Sequence, residues 1–344
     1  MLTINNHNYI IENRNGKPKG DGILTQTADI SSVRRTNFLS VSGYVRKKGS
    51  CTIPRIAEDV GLSLPTVTRA VNFALERGIF IPDGMCTAGR GRKAVAYTLN
   101  PDFKHCGLLY FFSDTLHCDI YDFKFNCIYS YSCPISDENA VEILKCNVLK
   151  ITRYDKKISH VLFAVPGHVF DNSILRSWKF PSLNGLNLKE YFSFLENINV
   201  IAVNNMFAVT CSSWKYTNDY HSKTVVSYTF GAKKYGAGIS VNGCVLSGAS
   251  GRVCDIGRLE TKETDRHSLE FFKEQISGVI SVIDPDKIIL YPNGECTYEM
   301  LSSELCKIYG DDFVQSLVCG TDLYDDCAHG LLRIFNRELK MNYV

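Results

Sequence analysis

The chain has 344 residues, enough for two domains and a sizeable core, and its 45% apolar and 22% charged content is the ordinary balance of a soluble globular protein. No apolar run reaches the ~18 residues of a membrane span, and the fourteen cysteines are scattered without a C-x-x-C, which argues against a disulfide framework. The net charge of +2 hides an asymmetry: residues 31–100 hold eleven Lys/Arg against four Asp/Glu, a net +7, which leaves −5 for residues 101–344. Positive charge gathered on one segment is what neutralising phosphates requires.

In chain order, residues 1–31 are polar and read as a loose N-terminal arm with a strand at 9–11. The opening residues carry no signal-peptide pattern, so reduced thiols and a cytoplasmic location are expected. Residues 34–48 predict a helix with Phe38, Val41, Tyr44 and Val45 on its inner face. Arg46, Lys47 and Lys48 close it, where cations favour the helix dipole, and capping is their simplest role.

Residues 52–78 read as a helix-turn-helix. Thr52 is placed to cap a helix carrying Pro54 in its first turn and Ile56, Ala57 and Val60 inward, ending at Gly61. Ser63 is placed to cap a second helix, again with a proline, Pro65, in the first turn. Val67, Ala70, Val71, Ala74 and Leu75 then give one buried face. Ser63, Thr66, Thr68 and Arg69 fall elsewhere, a hydroxyl-rich and basic set suited to phosphate oxygens and base edges in a major groove. Alone this would also fit an ordinary helical hairpin with a polar face. The adjoining segment favours DNA. Strands at 79–81 and 94–99 flank a glycine-rich basic loop with Arg90, Arg92 and Lys93. Helix-turn-helix plus such a hairpin is a winged helix, whose wing arginines suit the negative potential of a narrow minor groove. The expected DNA-binding domain is 32–101.

After Asn100-Pro101 the character changes. Strands are expected at 107–112, 118–123, 126–132, 159–165, 199–203, 224–230, 238–241, 244–246 and 287–290. Helices are expected at 137–149, 188–195, 204–213, 268–282, 299–309 and 328–339. Strands followed by mixed strand and helix, twice over, predict two α/β halves with a cleft between them and a boundary near residue 220.

Several motifs in 105–344 occur in one order: Ala164-Val165-Pro166-Gly167-His168-Val169, then Val203-Asn204-Asn205-Met206-Phe207-Ala208, then Gly236-Ala237-Gly238-Ile239-Ser240-Val241-Asn242-Gly243. Gly248-Ala249-Ser250-Gly251, Cys254-Asp255-Ile256-Gly257-Arg258-Leu259 and Asp284-Pro285-Asp286-Lys287-Ile288 come after them. This set resembles the ROK family of repressors and sugar kinases, with its A-x-P-G-x-V, E-N-D-A-N-A, G-A-G-I-x-x-N-G, G-A-x-G and G-E-I-G-H-L segments. With the winged helix, the resemblance spans essentially 31–344. It implies a duplicated actin-like, ribonuclease-H-type α/β fold with a sugar site in the cleft. By that resemblance Asn204, Asn205 and Asp255 are the candidate sugar contacts, with Gly167 and Gly251 shaping the pocket.

The departures separate regulator from kinase. The family's base is the Asp of N-D; here it is Asn205, an amide that cannot take the hydroxyl proton. Bulky residues at Leu109-Tyr110-Phe111-Phe112-Ser113 stand where kinases have D-x-G, and Gly231-Ala232-Lys233-Lys234-Tyr235-Gly236 replaces G-T-G-I-G. Lys233 and Lys234 read as a solvated pair. Asp255 is shorter than the family's Glu. The family's zinc His position is Arg258, which is no ligand, and the C-x-C-G-x-x-G-C loop is missing. His221, His267 and His329 lack partners at ligand spacing. The expectation is a non-enzymatic regulator without metal or cofactor. Its expected partners are double-stranded DNA with an inverted repeat, a sugar or sugar phosphate, and a second copy of the chain, and no membrane. A sugar kinase with a DNA-binding appendage and a ligand-free dimerisation scaffold are the alternatives.

Overall fold

The computed structural model describes residues 30–87, 93–231, 236–253, 256 and 268–342. The N-terminal segment runs α1 (Ile30–Lys48), β1 (Cys51–Thr52), α2 (Ile53–Val60), α3 (Leu64–Glu76), β2 (Phe80–Thr87) and β3 (Lys93–Leu99). The three strands form an antiparallel sheet in the order β1-β3-β2. Its core is the predicted one: Phe38, Val41 and Val45 of α1, Ile56 of α2, and Val67, Val71 and Ala74 of α3 are buried together with Ile79, Phe80 and Leu99.

Two local readings change. Thr52 does not cap α2 with its hydroxyl: it lies buried in β1 opposite Ala96, and extended backbone leads directly into a first turn preset by Pro54. Ser63 also makes no cap bond; its Oγ shares a 2.8 Å hydrogen bond with Thr66 Oγ1. Proline in each first turn already removes a donor that a cap would otherwise satisfy.

Beyond residue 104 the chain builds two five-stranded sheets. The first contains β4 (His105–Phe111), β5 (Thr115–Tyr121), β6 (Cys127–Pro134), β7 (Ile158–Val165) and β10 (Asn199–Asn204), in the order β10-β7-β4-β5-β6. The second contains β11 (Thr224–Gly231), β12 (Gly236–Val241), β13 (Cys244–Val245), β14 (Lys287–Asn293) and β15 (Leu317–Cys319), in the order β13-β12-β11-β14-β15. In each, three consecutive strands form an antiparallel meander, and the fourth and fifth lie parallel on the other side of the first. The two sheets are therefore one topology repeated.

Parallel neighbours need crossovers. These are α4 (Ala140–Tyr154) in the first half, and α7 (Leu269–Ile283) and α8 (Tyr298–Tyr309) in the second. Between β7 and β10 the chain forms a small hairpin, β8 (His168–Phe170) with β9 (Ser173–Arg176), and a single turn of helix, α5 (Leu188–Tyr191). The longer helix expected at 188–195 stops there, and Asn197 adopts a left-handed conformation before β10.

Each fifth strand is followed by a helix, α6 (Asn205–Cys211) or α9 (Leu323–Asn342), and these two pack against each other between the sheets. Their approach depends on Gly330: a Cβ there would lie 1.7 Å from the Ala208 carbonyl oxygen. We call each sheet with its helices a lobe, and the region around the α6–α9 pair, between the two sheets, the cleft.

Candidate functional site

On α3, Ser63 and Arg69 are exposed, and Thr66 and Thr68 are half-buried. The Thr68 hydroxyl donates back to Leu64 O (2.8 Å), and Arg69 Nε donates to Pro65 O (3.2 Å). Both bonds hold the side chains along the first turns of the helix. Lys93 is exposed at the start of β3. Arg90 and Arg92 lie outside the described residues. Arg46 does more than its place in the last turn of α1 requires. It crosses to the first lobe, donating to Phe123 O at 2.6 Å with its guanidinium over the Phe123 and Phe125 rings. That partner is 77 residues away and invisible to helix-end statistics.

On one side of the cleft the structure brings Gly167, Asn204 and Asn205 together where β7 and β10 end. Asn204 is the N-cap of α6: its Oδ1 accepts from Met206 N (2.8 Å) and Phe207 N (3.1 Å), and its Nδ2 donates to Gly167 O (2.5 Å). Asn205 is buried and its Oδ1 also accepts from Met206 N (2.8 Å). Gly167 has φ +126, and a Cβ there would lie 2.2 Å from Arg176 O. Gly251 belongs to the second lobe, yet a Cβ on it would lie 2.5 Å from Val169 O, so its loop lies directly against the β8–β9 hairpin. The two glycines thus allow backbone contact within the first lobe and across the cleft mouth. Trp178 stands half-exposed beside this point, edge-on to His168 with ring centroids 4.8 Å apart. Asp255, Lys233, Lys234, Arg258 and His267, like the 9–11 strand and most of the N-terminal arm, lie outside the described residues.

A second group of side chains packs around the start of α9. In the first lobe Tyr110 OH donates to the buried Asp119 (2.7 Å), and the Tyr110 ring stacks on His117. Phe112 meets Tyr324 of α9 edge-on at 5.0 Å. In the second lobe Asp326 is completely buried and accepts from Tyr291 OH (2.7 Å), Lys215 Nζ (2.6 Å) and Tyr216 OH. Lys215 also reaches Asp325 at 2.9 Å. Burial opposes the Lys215 charge, but hydrogen bonds and charge from Asp326 and Asp325 outweigh it and hold the ammonium above the usual lysine range. Burial, reinforced by Asp119 and Asp326, keeps the Tyr110 and Tyr291 hydroxyls protonated far above their ordinary range.

Sequence reading missed Lys215, Tyr216, Tyr291 and Asp326. Their one visible signal is the acidic pair Asp325-Asp326, now seen in the first turn of α9. His329 Nδ1 faces Asp325 O at 2.9 Å, and His221 packs against Tyr220. Among the described residues no cluster of three or more metal-ligating side chains occurs, and no helix is long and apolar enough to cross a membrane.

No protein-family model matches the chain, and no curated protein matches it in sequence. Solved structures do share its fold. One is described as a ROK family transcriptional regulator, a homologue of the E. coli MLC protein: TM-score 0.60, 12% identity, 88% of this chain and 99% of that one. A ROK family protein from Streptococcus pneumoniae TIGR4, in complex with sucrose, matches at TM-score 0.54 and 14% identity, over 69% of this chain and 99% of that one. A ROK hexokinase from Thermus thermophilus matches at 0.51 and 12%, over 67% and 99%. The repeated α/β architecture is the actin-like fold of ROK-family proteins.

Proposed function

We propose that this chain is a DNA-binding transcriptional regulator of the ROK family, with residues 32–101 as a winged helix-turn-helix and residues 105–344 as an effector-binding and dimerisation domain. The observation that carries this reading is the joining of two units in one chain. One is a basic three-helix unit with an antiparallel hairpin, exposing Ser63 and Arg69 on α3. The other is an actin-like unit with Asn205 at the position that the ROK resemblance gives to the kinase base. The coverage figures agree: the regulator structure extends over 88% of this chain and the hexokinase over 67%, a difference about the size of the N-terminal unit.

In this reading α3 enters the major groove, with Thr66, Thr68 and Arg69 toward bases and phosphates and the hairpin tip toward the adjacent minor groove. A symmetric dimer presents two such helices to an inverted repeat. The cleft senses a sugar or sugar phosphate and represses or releases genes of carbohydrate metabolism. Asn205 provides an amide for a hydroxyl and no base for proton transfer. Linkage then requires that effector and operator change each other's affinity by the same factor.

A second reading, a dimerisation scaffold without effector, is favoured by one observation: Asn204 spends its oxygen on two backbone amides and its nitrogen on Gly167. Selection of binding sites from random duplexes tests the regulator reading. An inverted repeat is expected, with affinity falling steeply with salt. Arg69→Ala should weaken binding to the selected site by ~1–3 kcal/mol if Arg69 contacts a base. Unchanged binding in both Arg69→Ala and Arg92→Ala would overturn the docking geometry. Calorimetry across a panel of sugars and sugar phosphates separates sensor from scaffold.

A further inference from the structure

Arg46 leaves the last turn of α1 and is held by the turn between β5 and β6 in the first lobe. Its Nη1 donates to Phe123 O at 2.6 Å, and its guanidinium lies 4.6 Å from the centroid of Phe123 and 4.3 Å from that of Phe125. A planar cation between two aromatic rings, with a carbonyl as acceptor, recovers what it loses in hydration. The turn is built to present these groups. Asp122 accepts through its side chain from Asn126 N (2.9 Å) and Asn126 Nδ2 (2.8 Å), and Phe125 N donates to Asp122 O (3.1 Å). Within this frame Phe125 is forced to φ +70, a conformation that a bulky side chain rarely adopts.

The same turn touches two other parts of the molecule. Phe123 N donates to Pro101 O (3.0 Å), which fixes the connection between β3 and β4. The Phe125 ring packs at 6.4 Å from Phe335, a fully buried residue of α9. A cavity at this junction is lined by Phe38, Ser42, Ile79 and Leu99 from one side and by Phe123 and Asn336 from the other. Phe38, Ile79 and Leu99 are themselves buried, in one apolar cluster with Phe123 and with Phe335 of α9, so the junction joins the N-terminal unit to that helix through a shared core. Nine residues before Phe335 on the same helix is Asp326, the buried carboxylate held by Lys215, Tyr216 and Tyr291 at the cleft.

We propose that the Arg46–Phe123–Phe125 clamp is a latch that couples the position of the N-terminal three-helix unit to α9, and through α9 to the cleft. With the latch closed, the unit is held against the first lobe. A shift of α9 moves Phe335 under Phe125, withdraws one face of the clamp and frees α1 to reorient. The proposal stands on the junction geometry and is independent of whether the N-terminal unit binds DNA.

Hydrogen–deuterium exchange on the full chain tests it, comparing parent, Arg46→Ala, Arg46→Lys and Phe125→Leu. Opening the latch should raise exchange roughly tenfold or more at 122–126 and 100–104 in Arg46→Ala, while α3 and β11 keep their protection. Arg46→Lys should fall between, because an ammonium cannot lie flat between two rings. Phe125→Leu keeps the carbonyl bond and provides the arm needed should Arg46→Ala fail to fold. The coupling is read from the far end: Asp326→Asn, which touches nothing in the turn, should speed exchange at 122–126. Parent-like exchange at the junction in both Arg46→Ala and Phe125→Leu would overturn the latch, as would equal loosening of α3. Parent-like exchange at 122–126 in Asp326→Asn would overturn its link to the cleft.

Discussion

Asn204 Nδ2 donates to the Gly167 carbonyl at 2.5 Å, joining the ends of the two adjacent parallel strands β10 and β7. The same side chain caps α6 through Met206 N and Phe207 N. One asparagine therefore holds the start of a cleft helix and the turn that carries His168 and Val169. Asn204→Ala removes the cap, worth about 1 kcal/mol, and leaves the Gly167 carbonyl without this donor, worth about 1 kcal/mol more. A loss of roughly 2 kcal/mol is expected in urea unfolding. Asn204→Asp keeps the cap but turns an acceptor toward an acceptor, and should fall between. Parent-like stability of Asn204→Ala would show that neither bond is formed in solution.

The Asp326 network offers a sharper contrast. Asp326→Ala leaves the buried Tyr291 hydroxyl without this acceptor and takes from Lys215 and Tyr216 their shared buried partner, although Lys215 keeps Asp325 and Tyr216 keeps Thr321. Breaking a buried pair from one side costs about 3–5 kcal/mol. Tyr291→Phe removes one donor and leaves Asp326 with Lys215 and Tyr216, so about 1 kcal/mol is expected. Thermal and urea unfolding of the two variants checks the ranking, and a larger loss in Tyr291→Phe would contradict it.

These two sites show how far the sequence could be read. Asn204 stood out because 203–208 resembles the E-N-D-A-N-A segment of the ROK family. Its partner Gly167 stood out because 164–169 resembles the family's A-x-P-G-x-V loop. Which atoms each engages could not be read, because the geometry of the turn fixes it. Lys215 and Asp326 are 111 residues apart, and only the return of α9 across both lobes brings them together. The strand β1 was invisible for another reason: two residues give no alternation to detect, and Thr52 also fits a helix cap. Arg46 has a sufficient local explanation at the end of α1, and its true partner comes from the packing of α1 on the first lobe.

His160 makes stability pH-dependent. It is buried on β7 against Phe335 with ring centroids 5.1 Å apart, and its Nδ1 shares a hydrogen bond with Ser159 Oγ at 2.9 Å. Burial, helped by the charge of Lys104, lowers its pKa from 6.5 to about 4. Between those values the unfolded chain binds a proton that the folded chain does not. The stabilisation is therefore complete above about pH 6.5 and is lost as pH falls toward 4, by up to about 3 kcal/mol. His160→Phe should remove this slope while keeping the contact with Phe335. Urea midpoints at pH 7 and pH 4.5 for parent and variant measure it: the parent should lose more than the variant, and equal losses would show that His160 does not govern acid lability.

Phosphoryl transfer needs both a proton acceptor at the sugar hydroxyl and an open cradle for the nucleotide phosphates. At the position that the ROK resemblance gives to the acceptor, Asn205 offers an amide already engaged with Met206 N. Asn205→Asp would place a carboxylate in the first turn of α6, where the backbone amides favour negative charge, so the variant should fold. The cradle is a separate obstacle. In the segment 109–113, which the ROK resemblance sets where kinases have their first phosphate loop, Tyr110 is bound to Asp119 and Phe112 meets Tyr324 of α9 edge-on. Aromatic rings packed at that segment leave less volume for a phosphate group than a glycine loop would. Both the parent and Asn205→Asp should therefore release ADP no faster than the no-enzyme background in a coupled assay with hexoses, pentoses and amino sugars. Turnover by Asn205→Asp alone would show that the nucleotide side opens in solution and that one proton acceptor separates this chain from a kinase. Turnover by the parent, abolished by Asn204→Ala, would replace the regulator-only reading with a sugar kinase carrying a DNA-binding unit.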